Sequence, residues 1–253
     1  MLELRNPHSV LAVLDVRPRA VRSVQVSSEK TGTPWDDVAE AARSVGVAVS
    51  ASGSRSGHQR GQKQGRGGGR RRETERTGAG SAMVEPPSPV PINNLWKPAS
   101  ETSNGIWLAL DQVQDPQNLG AIFRLAGFFG VRGIILTKDK SAPVNATVCD
   151  VAVGGVEYVP HCIVPNLVQA FQKAQKHDVW VLGTSEHSST SLRQIKSDRN
   201  WLLVMGNEGT GLRRLTQDSC DQLVGLPPLG KVTSLNVAAA TAACLTVLTA
   251  EAS

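Results

Sequence analysis

Long apolar runs, aromatic residues and paired cysteines are scarce in this 253-residue chain. The longest apolar stretch, residues 237–250, is rich in alanine and interrupted by threonines, whereas a membrane helix needs about 20 apolar residues. The four cysteines form neither a CxxC metal pair nor a dense disulfide framework, which predicts reduced, buried thiols. Aromatic residues make up only 4% of the chain, too few for a base-stacking sheet. We therefore expect no membrane partner and no metal site.

Two common nucleotide-binding and hydrolase motifs are also missing. The glycine loop at residues 206–211 reads GxxGxG and not the GxGxxG of dinucleotide-binding proteins, and no GxxxxGK[ST] phosphate loop occurs. The chain has no GxSxG sequence, and its five histidines lie outside the polar junctions described below. A nucleotide-phosphate site and a Ser/His/Asp hydrolase are thus poorly supported.

Positive charge is concentrated in one segment. Residues 55–76 carry eight Arg and Lys residues against two Glu residues, a local charge of +6, whereas the whole chain carries +5. The segment is rich in Gly, Ser and Gln and lacks apolar residues, which predicts disorder. Such a tail attracts phosphate without reading base sequence. An equally good interpretation is a flexible insertion with no binding role.

Composition divides the chain into three parts. Residues 1–51 show the short apolar patterns of a small folded domain, and residues 52–104 are predicted to be a linker that is first Arg/Gly-rich and then Pro-rich. Over residues 105–253, apolar strands alternate with helical segments, which predicts an α/β fold with a mostly parallel sheet. The predicted strands are 106–111, 133–137, 156–160, 179–184, 201–206 and 222–227. Ligands of such sheets bind at the carboxyl ends of the strands.

Three strand-to-helix junctions carry polar residues that packing does not require. The first, DQVQDPQNLGAIFRLAG, has Asn118 at the start of a helix and Arg124 away from its apolar stripe. The second, MGNEGTGL, has Glu208 in a glycine loop. The third, LPPLGKVTSLNVAAATA, has Ser234 and Asn236 before an Ala-rich helix. Taken singly, each junction is explained as well by helix capping and chain turning.

Taken together and in this order, the three junctions resemble the signature motifs of the SpoU (TrmH-like) family of RNA 2'-O-ribose methyltransferases, in the SPOUT superfamily. The resemblance covers residues 105–253. It implies a SPOUT-type α/β fold, with a mostly parallel sheet and a C-terminal trefoil knot. It also implies S-adenosylmethionine as cofactor, RNA as substrate and a homodimer.

The matched motif positions are the catalytic candidates that the resemblance implies. Arg124 would fix a phosphate and stabilise the developing alkoxide, since a guanidinium stays protonated. Asn118 would orient Arg124 or the target nucleotide, and Glu208 would hold the loops or orient Arg124 of a neighbouring subunit. Ser234 and Asn236 would supply polar groups at a helix start.

The resemblance also points to a set of cofactor-binding positions. Glycines and tight turns there would let the backbone approach the adenosine of S-adenosylmethionine closely. The positions are Thr184, Gly206, Gly209, Leu226 and Leu235.

The first part of the chain carries a weaker resemblance. NPHSVLAVLDVRPRAVRSVQV is similar to the small α/β, ribosomal-protein-like RNA-binding domain of ribosomal RNA members, and the Arg/Gly insertion after it leaves open whether the domain is complete. This favours a guanosine of large-subunit ribosomal RNA as the substrate. A tRNA ribose methyltransferase and a non-catalytic RNA-binding isoform are the alternatives. Likeness to the mitochondrial rRNA members predicts a mitochondrial location, and a cytoplasmic one is the alternative.

Overall fold

The computed structural model describes residues 1–27, 32–52, 80–96, 104–207 and 209–250. The Arg/Gly-rich segment at residues 55–76, predicted to be disordered, lies outside the described residues, and so does Glu208. The chain divides into two compact units, Met1–Pro86 and Pro87–Ser253. Within the described ranges, no helix has the length and apolar character needed to cross a membrane.

The first unit is a four-stranded sheet with two helices. The sheet order is β1-β4-β2-β3, in which β4 pairs antiparallel with β1 and β2, and β2 pairs parallel with β3. Helix α2 begins after Thr33, whose backbone N–H donates to Asp36 Oδ2 at 2.9 Å. The elements are β1 Leu2–Leu4, α1 Pro7–Val16, β2 Val21–Ser27, α2 Pro34–Ser44, β3 Val49–Ser52 and β4 Gly80–Val84.

The predicted domain boundaries differ from the structure at residues 80–96, which were assigned to a linker. Strand β4 lies inside the first sheet with Ala82 and Val84 buried, so a domain of residues 1–51 lacks one of its central strands. Residues 87–96 belong to the second unit, where Leu95 and Trp96 are buried in a core cluster. A five-residue strand that pairs only with residues before the insertion gives little local signal.

The second unit is a six-stranded sheet covered by helices. Its strand order is β10-β8-β9-β5-β6-β7, and every neighbouring pair is parallel, as predicted. The trefoil knot stays a prediction of the resemblance. The strands are β5 Ile106–Leu110, β6 Ile134–Thr137, β7 His161–Val164, β8 Val179–Thr184, β9 Asn200–Met205 and β10 Gln222–Val224. The helices are α3 Ile92–Leu95, α4 Pro116–Phe128, α5 Ala146–Ala152, α6 Gly155–Tyr158, α7 Leu167–Gln175, α8 Arg214–Asp218 and α9 Val237–Thr249.

The predicted strand at 156–160 is wrong, since residues 155–158 form helix α6 and the strand follows it. Val153 and Gly154 both adopt left-handed backbone angles, with φ of 51° and 93°, and this turns the chain from α5 into α6. A Cβ on Gly155 would lie 2.3 Å from the carbonyl oxygen of Phe123, so only glycine allows α6 to pack this closely on α4. A short apolar run does not by itself distinguish a strand from a buried helix.

Helix α4 carries the first motif and is fixed by its own sequence. Asp115 Oδ1 accepts from the backbone N–H of Gln117 at 2.9 Å, and Pro116 fits the first turn because it has no N–H to satisfy. The residues that bury one face of the helix against the unit are Leu119, Gly120, Ile122, Phe123 and Ala126. Asn118 and Arg124 lie outside this stripe.

Candidate functional site

The carboxyl ends of the parallel strands place the three motifs at one edge of the sheet. The loops after β5, β9 and β10 contain the first, second and third motif, respectively. Thr184, at the end of β8, donates its Oγ1 hydrogen to the carbonyl of Val204 at 3.0 Å. The backbone N–H of Ser185 donates to the carbonyl of Val224 at 2.8 Å. The predicted ligand edge is therefore a connected set of loops.

Asn118 and Asn236 are joined by a direct hydrogen bond. Asn236 Nδ2 donates to Asn118 Oδ1 at 2.8 Å. Asn236 Oδ1 meanwhile accepts from the backbone N–H groups of Ala238 and Ala239 at 2.9 and 3.4 Å, which caps α9. The cap fixes the orientation of the Asn236 amide, and the amide in turn fixes the first and third motifs relative to each other.

The glycine loop of the second motif is a tight turn closed by Asn207. The backbones of Asn207 and Gly211 exchange hydrogen bonds at 3.1 and 2.9 Å, and Asn207 Oδ1 accepts from Gly209 N at 2.9 Å. A Cβ on Gly206 would lie 2.2 Å from the carbonyl carbon of Gly211, so the turn itself requires glycine there. Gly206 is buried and Gly209 is exposed. Glu208, between them in sequence, lies outside the described residues.

Asn207 also ties this loop to the first motif, which sequence reasoning did not anticipate. Its Nδ2 donates to the carbonyl of Gln112 at 2.9 Å. Gln112 has a φ of 64°, in the left-handed region that side chains rarely adopt. The contact joins residues 95 positions apart in the sequence, so no local pattern reveals it.

Arg124 is not on the helix face that carries Asn118. The two residues are six positions apart on α4, which corresponds to about 9 Å along the axis and about 120° around it. Arg124 is exposed, and so is Phe128 one turn later on the same face, with 80% of its surface accessible. Asn118 and Asn236 thus meet within one chain, whereas Arg124 points elsewhere.

The remaining predicted positions lie in or beside the loop after β10. Ser234, Leu235 and Leu226 are all exposed, and Leu229 in the same loop is 97% exposed. No hydrogen bond among the described residues involves the backbone of residues 227–235. This loop therefore has both apolar side chains and backbone polar groups available for a ligand.

One buried carboxylate was missed as a site residue. Asp111, which directly follows β5, is 1% exposed. Its Oδ1 accepts from Arg213 Nε at 2.8 Å and lies 2.8 Å from Arg213 Nη2. Its Oδ2 accepts from Thr216 Oγ1 at 2.8 Å and from the backbone N–H of Arg213 at 3.2 Å. An aspartate at the end of an apolar strand was the only available signal, since its partners lie more than a hundred residues away.

The thiols offer no nucleophile or metal centre at this edge. All four cysteines are free, and burial raises the pKa of Cys162, Cys220 and Cys244 to about 12. Such thiols stay protonated at neutral pH. Across the part of the chain that the structure describes, no group of three or more His, Cys, Asp or Glu residues is placed to hold a metal ion.

Solved structures of RNA methyltransferases share this fold. The SpoU methyltransferase AviRb from Streptomyces viridochromogenes, in complex with AdoMet, superimposes with a TM-score of 0.74 at 20% identity, covering 98% of this chain and 88% of that one. An AdoMet-bound rRNA methyltransferase from Sinorhizobium meliloti gives a TM-score of 0.69 at 22% identity, covering 98% and 86%. At these identities the likeness concerns the fold.

Sequence identity is higher with the RlmB enzymes of two other bacteria. The 23S rRNA (guanosine-2'-O-)-methyltransferase RlmB of Pseudomonas aeruginosa is 43% identical over 181 residues, which is 69% of this chain and 73% of that protein. RlmB of Escherichia coli K12 is 42% identical over 164 residues, 65% of this chain and 68% of that protein. The model of the SpoU rRNA Methylase family matches residues 105–246, which contain all three motifs. The chain therefore belongs to the SpoU rRNA methylase family.

Proposed function

We propose that this protein transfers the methyl group of S-adenosylmethionine to the ribose 2'-hydroxyl of a guanosine in large-subunit ribosomal RNA. The observation that carries the proposal is the hydrogen bond between Asn236 and Asn118, which joins the first and third motifs at the carboxyl edge of the sheet. The activity in the names of the RlmB relatives supports the same reaction and the same substrate class.

The residues at this edge fit S-adenosylmethionine. The exposed side chains of Leu226 and Leu235 suit the apolar faces of an adenine ring, and the backbone of residues 227–235 can bond its polar edge. Thr184 and Gly206 lie at the ends of the two neighbouring strands. When bound, the cofactor supplies an electrophilic methyl group on its sulfonium.

The chain's own residues would position the ribose and stabilise charge. Methyl transfer to a hydroxyl is an in-line displacement, so the hydroxyl must be held in attack geometry while its proton leaves. The locked amides of Asn118 and Asn236 are suited to orienting the ribose. The guanidinium of Arg124 is suited to binding the adjacent phosphate and the developing alkoxide.

We further propose that the active unit is a homodimer. Arg124 and the 80% exposed Phe128 share one face of α4, and this face is not the one that holds Asn118. Burying Phe128 against a second copy would remove a large apolar group from water and bring Arg124 to the partner's edge. The exposed Leu229 and Val232 in the loop after β10 are further apolar groups that a second copy would cover.

The first unit and the cellular location complete the proposal. We propose that the first unit binds RNA, supported by the likeness of its sequence to a ribosomal-protein-like domain and by the exposed side chains of Arg19 and Arg43. A mitochondrial location is proposed from the sequence resemblance alone. Expression of the chain fused to a fluorescent protein, with a mitochondrial dye as reference, tests it.

The reaction is tested with purified protein, labelled S-adenosylmethionine and two substrates, ribosomal RNA and tRNA. The product is mapped for 2'-O-methylation, and the Arg124→Ala variant is assayed in parallel. Labelled guanosine in ribosomal RNA, absent with the variant, supports the proposal. Label confined to tRNA contradicts the substrate, and cofactor binding without transfer to either RNA contradicts the reaction.

A further inference from the structure

A small pocket beside the carboxyl edge has the chemistry of a nucleotide subsite. Its volume is about 280 Å³, and it lies between the loop after β7 and the start of α8. Its walls include the apolar side chains of Pro165, Val168 and Leu215, and Arg213 and Arg214 also line it. Leu215 is 73% exposed, so its apolar side chain is accessible to a ligand.

Arg213 is held rigidly in this pocket by the buried Asp111. The Asp111 carboxylate pairs with Nε, Nη2 and the backbone N–H of Arg213, so the guanidinium plane is fixed. The side chain of Arg213 is nevertheless 49% exposed. A guanidinium carries five N–H donors, and those on Nη1 are not used by Asp111. A fixed guanidinium with donors directed away from its carboxylate is suited to phosphate.

The charges near the pocket favour an anion with an apolar part. Asp111 neutralises Arg213, so Arg213 contributes oriented hydrogen bonds more than net charge. Arg214 is 93% exposed, and its only ion pair among the described residues is with the exposed Asp218 at 3.7 Å. Exposed pairs of this kind are weak and leave the arginine available. A nucleotide combines a phosphate for the two arginines with a base for the apolar walls.

We propose that this pocket binds a nucleotide of the substrate RNA next to the one that is methylated. Arg213 and Arg214 bind its phosphate, Leu215 and Pro165 pack against its base, and Asp111 is the positioning residue for Arg213. The inference rests on RNA being the substrate, and it adds a binding site away from the Asn118–Asn236 pair.

The test measures RNA affinity and not methyl transfer. A fluorescein-labelled RNA hairpin from ribosomal RNA is titrated at several salt concentrations, and S-adenosylmethionine binding is measured by calorimetry. Arg213→Lys keeps the positive charge but loses the planar, paired N–H donors of the guanidinium. We therefore expect roughly ten-fold weaker RNA binding with little change in salt dependence. Arg214→Gln should lower the slope of log affinity against log salt by about one. Leu215→Ala should weaken binding several-fold.

Controls separate the pocket from general effects. Arg199 is also paired with an aspartate, Asp198, at 2.8 Å, but it lies at the amino end of β9. Arg199→Gln should leave RNA affinity unchanged. The double variant Asp111→Asn with Arg213→Gln removes both charges together, so it tests the site even if Arg213→Lys does not fold. All variants should bind S-adenosylmethionine like the wild type.

Several results would overturn the inference. Wild-type RNA affinity in the Arg213→Lys, Leu215→Ala and double variants would show that the pocket binds no nucleotide. Binding of a poly-glutamate peptide that these variants abolish, with RNA affinity unchanged, would assign the pocket to an acidic protein segment. Methyl transfer with no effect of the variants on RNA binding would refute the pocket and leave the reaction standing. Pocket-dependent RNA binding without transfer would support the pocket and refute the reaction.

Discussion

Asn236 donates a hydrogen bond to Asn118 across 118 positions of sequence, and the same side chain caps the last helix. One amide therefore performs two tasks with its two ends. Its oxygen satisfies backbone N–H groups at the start of α9, and its nitrogen holds the start of α4. Because the two tasks use different atoms, substitution can separate them.

Asn236→Asp should abolish most of the activity without loss of stability. Aspartate keeps the cap oxygen, and its charge suits a helix N-terminus, but it cannot donate to Asn118 Oδ1. We expect methyl transfer to fall by about 10- to 100-fold, while the urea midpoint stays within experimental error. The matched control is Asn145→Asp, since Asn145 caps α5 through Val148 N at 3.1 Å. Equal rates for the wild type and Asn236→Asp would show that the amide serves the cap only.

Asp111→Ala should destabilise the second unit. The substitution leaves Thr216 Oγ1 and the backbone N–H of Arg213 without their buried acceptor, and it removes the partner of a half-exposed guanidinium. We expect a loss of about 1–3 kcal/mol in the free energy of unfolding, measured by urea denaturation. Asp111→Asn keeps an acceptor oxygen and should lose less. A larger loss for Asp111→Asn than for Asp111→Ala would contradict this role.

Mixing two variants of low activity tests whether the site is shared between copies. Each site of the proposed dimer takes Asn236 from one copy and Arg124 from the other. A dimer of one Arg124→Ala copy and one Asn236→Asp copy would therefore contain one site with both substitutions and one intact site. We expect transfer to reappear on mixing after subunit exchange. Phe128→Ser should shift the protein toward monomer in light-scattering measurements. Persistent inactivity of the mixture, with exchange shown by differently tagged copies, would place Arg124 and Asn236 in the same chain's site.

Stability should decline at alkaline pH. Burial raises the pKa of Cys162, Cys220 and Cys244 from 9.0 to about 12, so the folded state keeps these protons while the unfolded state loses them above pH 9. The stabilisation is complete below pH 9 and is lost as the pH rises toward 12. Urea unfolding at increasing pH measures it. Cys244→Ala should decline less steeply than the wild type, and an identical decline would refute the assignment to this thiol.

Much of the second unit could be predicted from sequence because its signals are local. Apolar strands alternate with helices, and helix α4 is indicated by Asp115, Pro116 and a regular apolar stripe. The features that were missed depend on distant partners. Strand β4 lies after the insertion but pairs with strands before it, and Asp111 meets Arg213 only after the chain has folded. Helix α6 was predicted as a strand because its packing depends on a close contact between Gly155 and Phe123, which the local sequence does not reveal.

The same distinction applies to the candidate site. The motif positions Asn118 and Asn236 could be named from sequence, and the structure brings them together. Gly206 was expected to make room for a cofactor, whereas its contact with Gly211 shows that the turn itself needs glycine. The hydrogen bond from Asn207 to the carbonyl of Gln112 depends on the geometry of the turn, and no pattern in the sequence predicts it.

The most direct test of the account is methyl transfer from labelled S-adenosylmethionine to ribosomal RNA, with the product mapped to a nucleotide. We expect a 2'-O-methylguanosine made by the wild type, strongly reduced with Asn236→Asp and absent with Arg124→Ala, and both variants should still bind the cofactor in calorimetry. Cofactor binding by the wild type without transfer to any RNA would contradict it and would identify a non-catalytic member of the family.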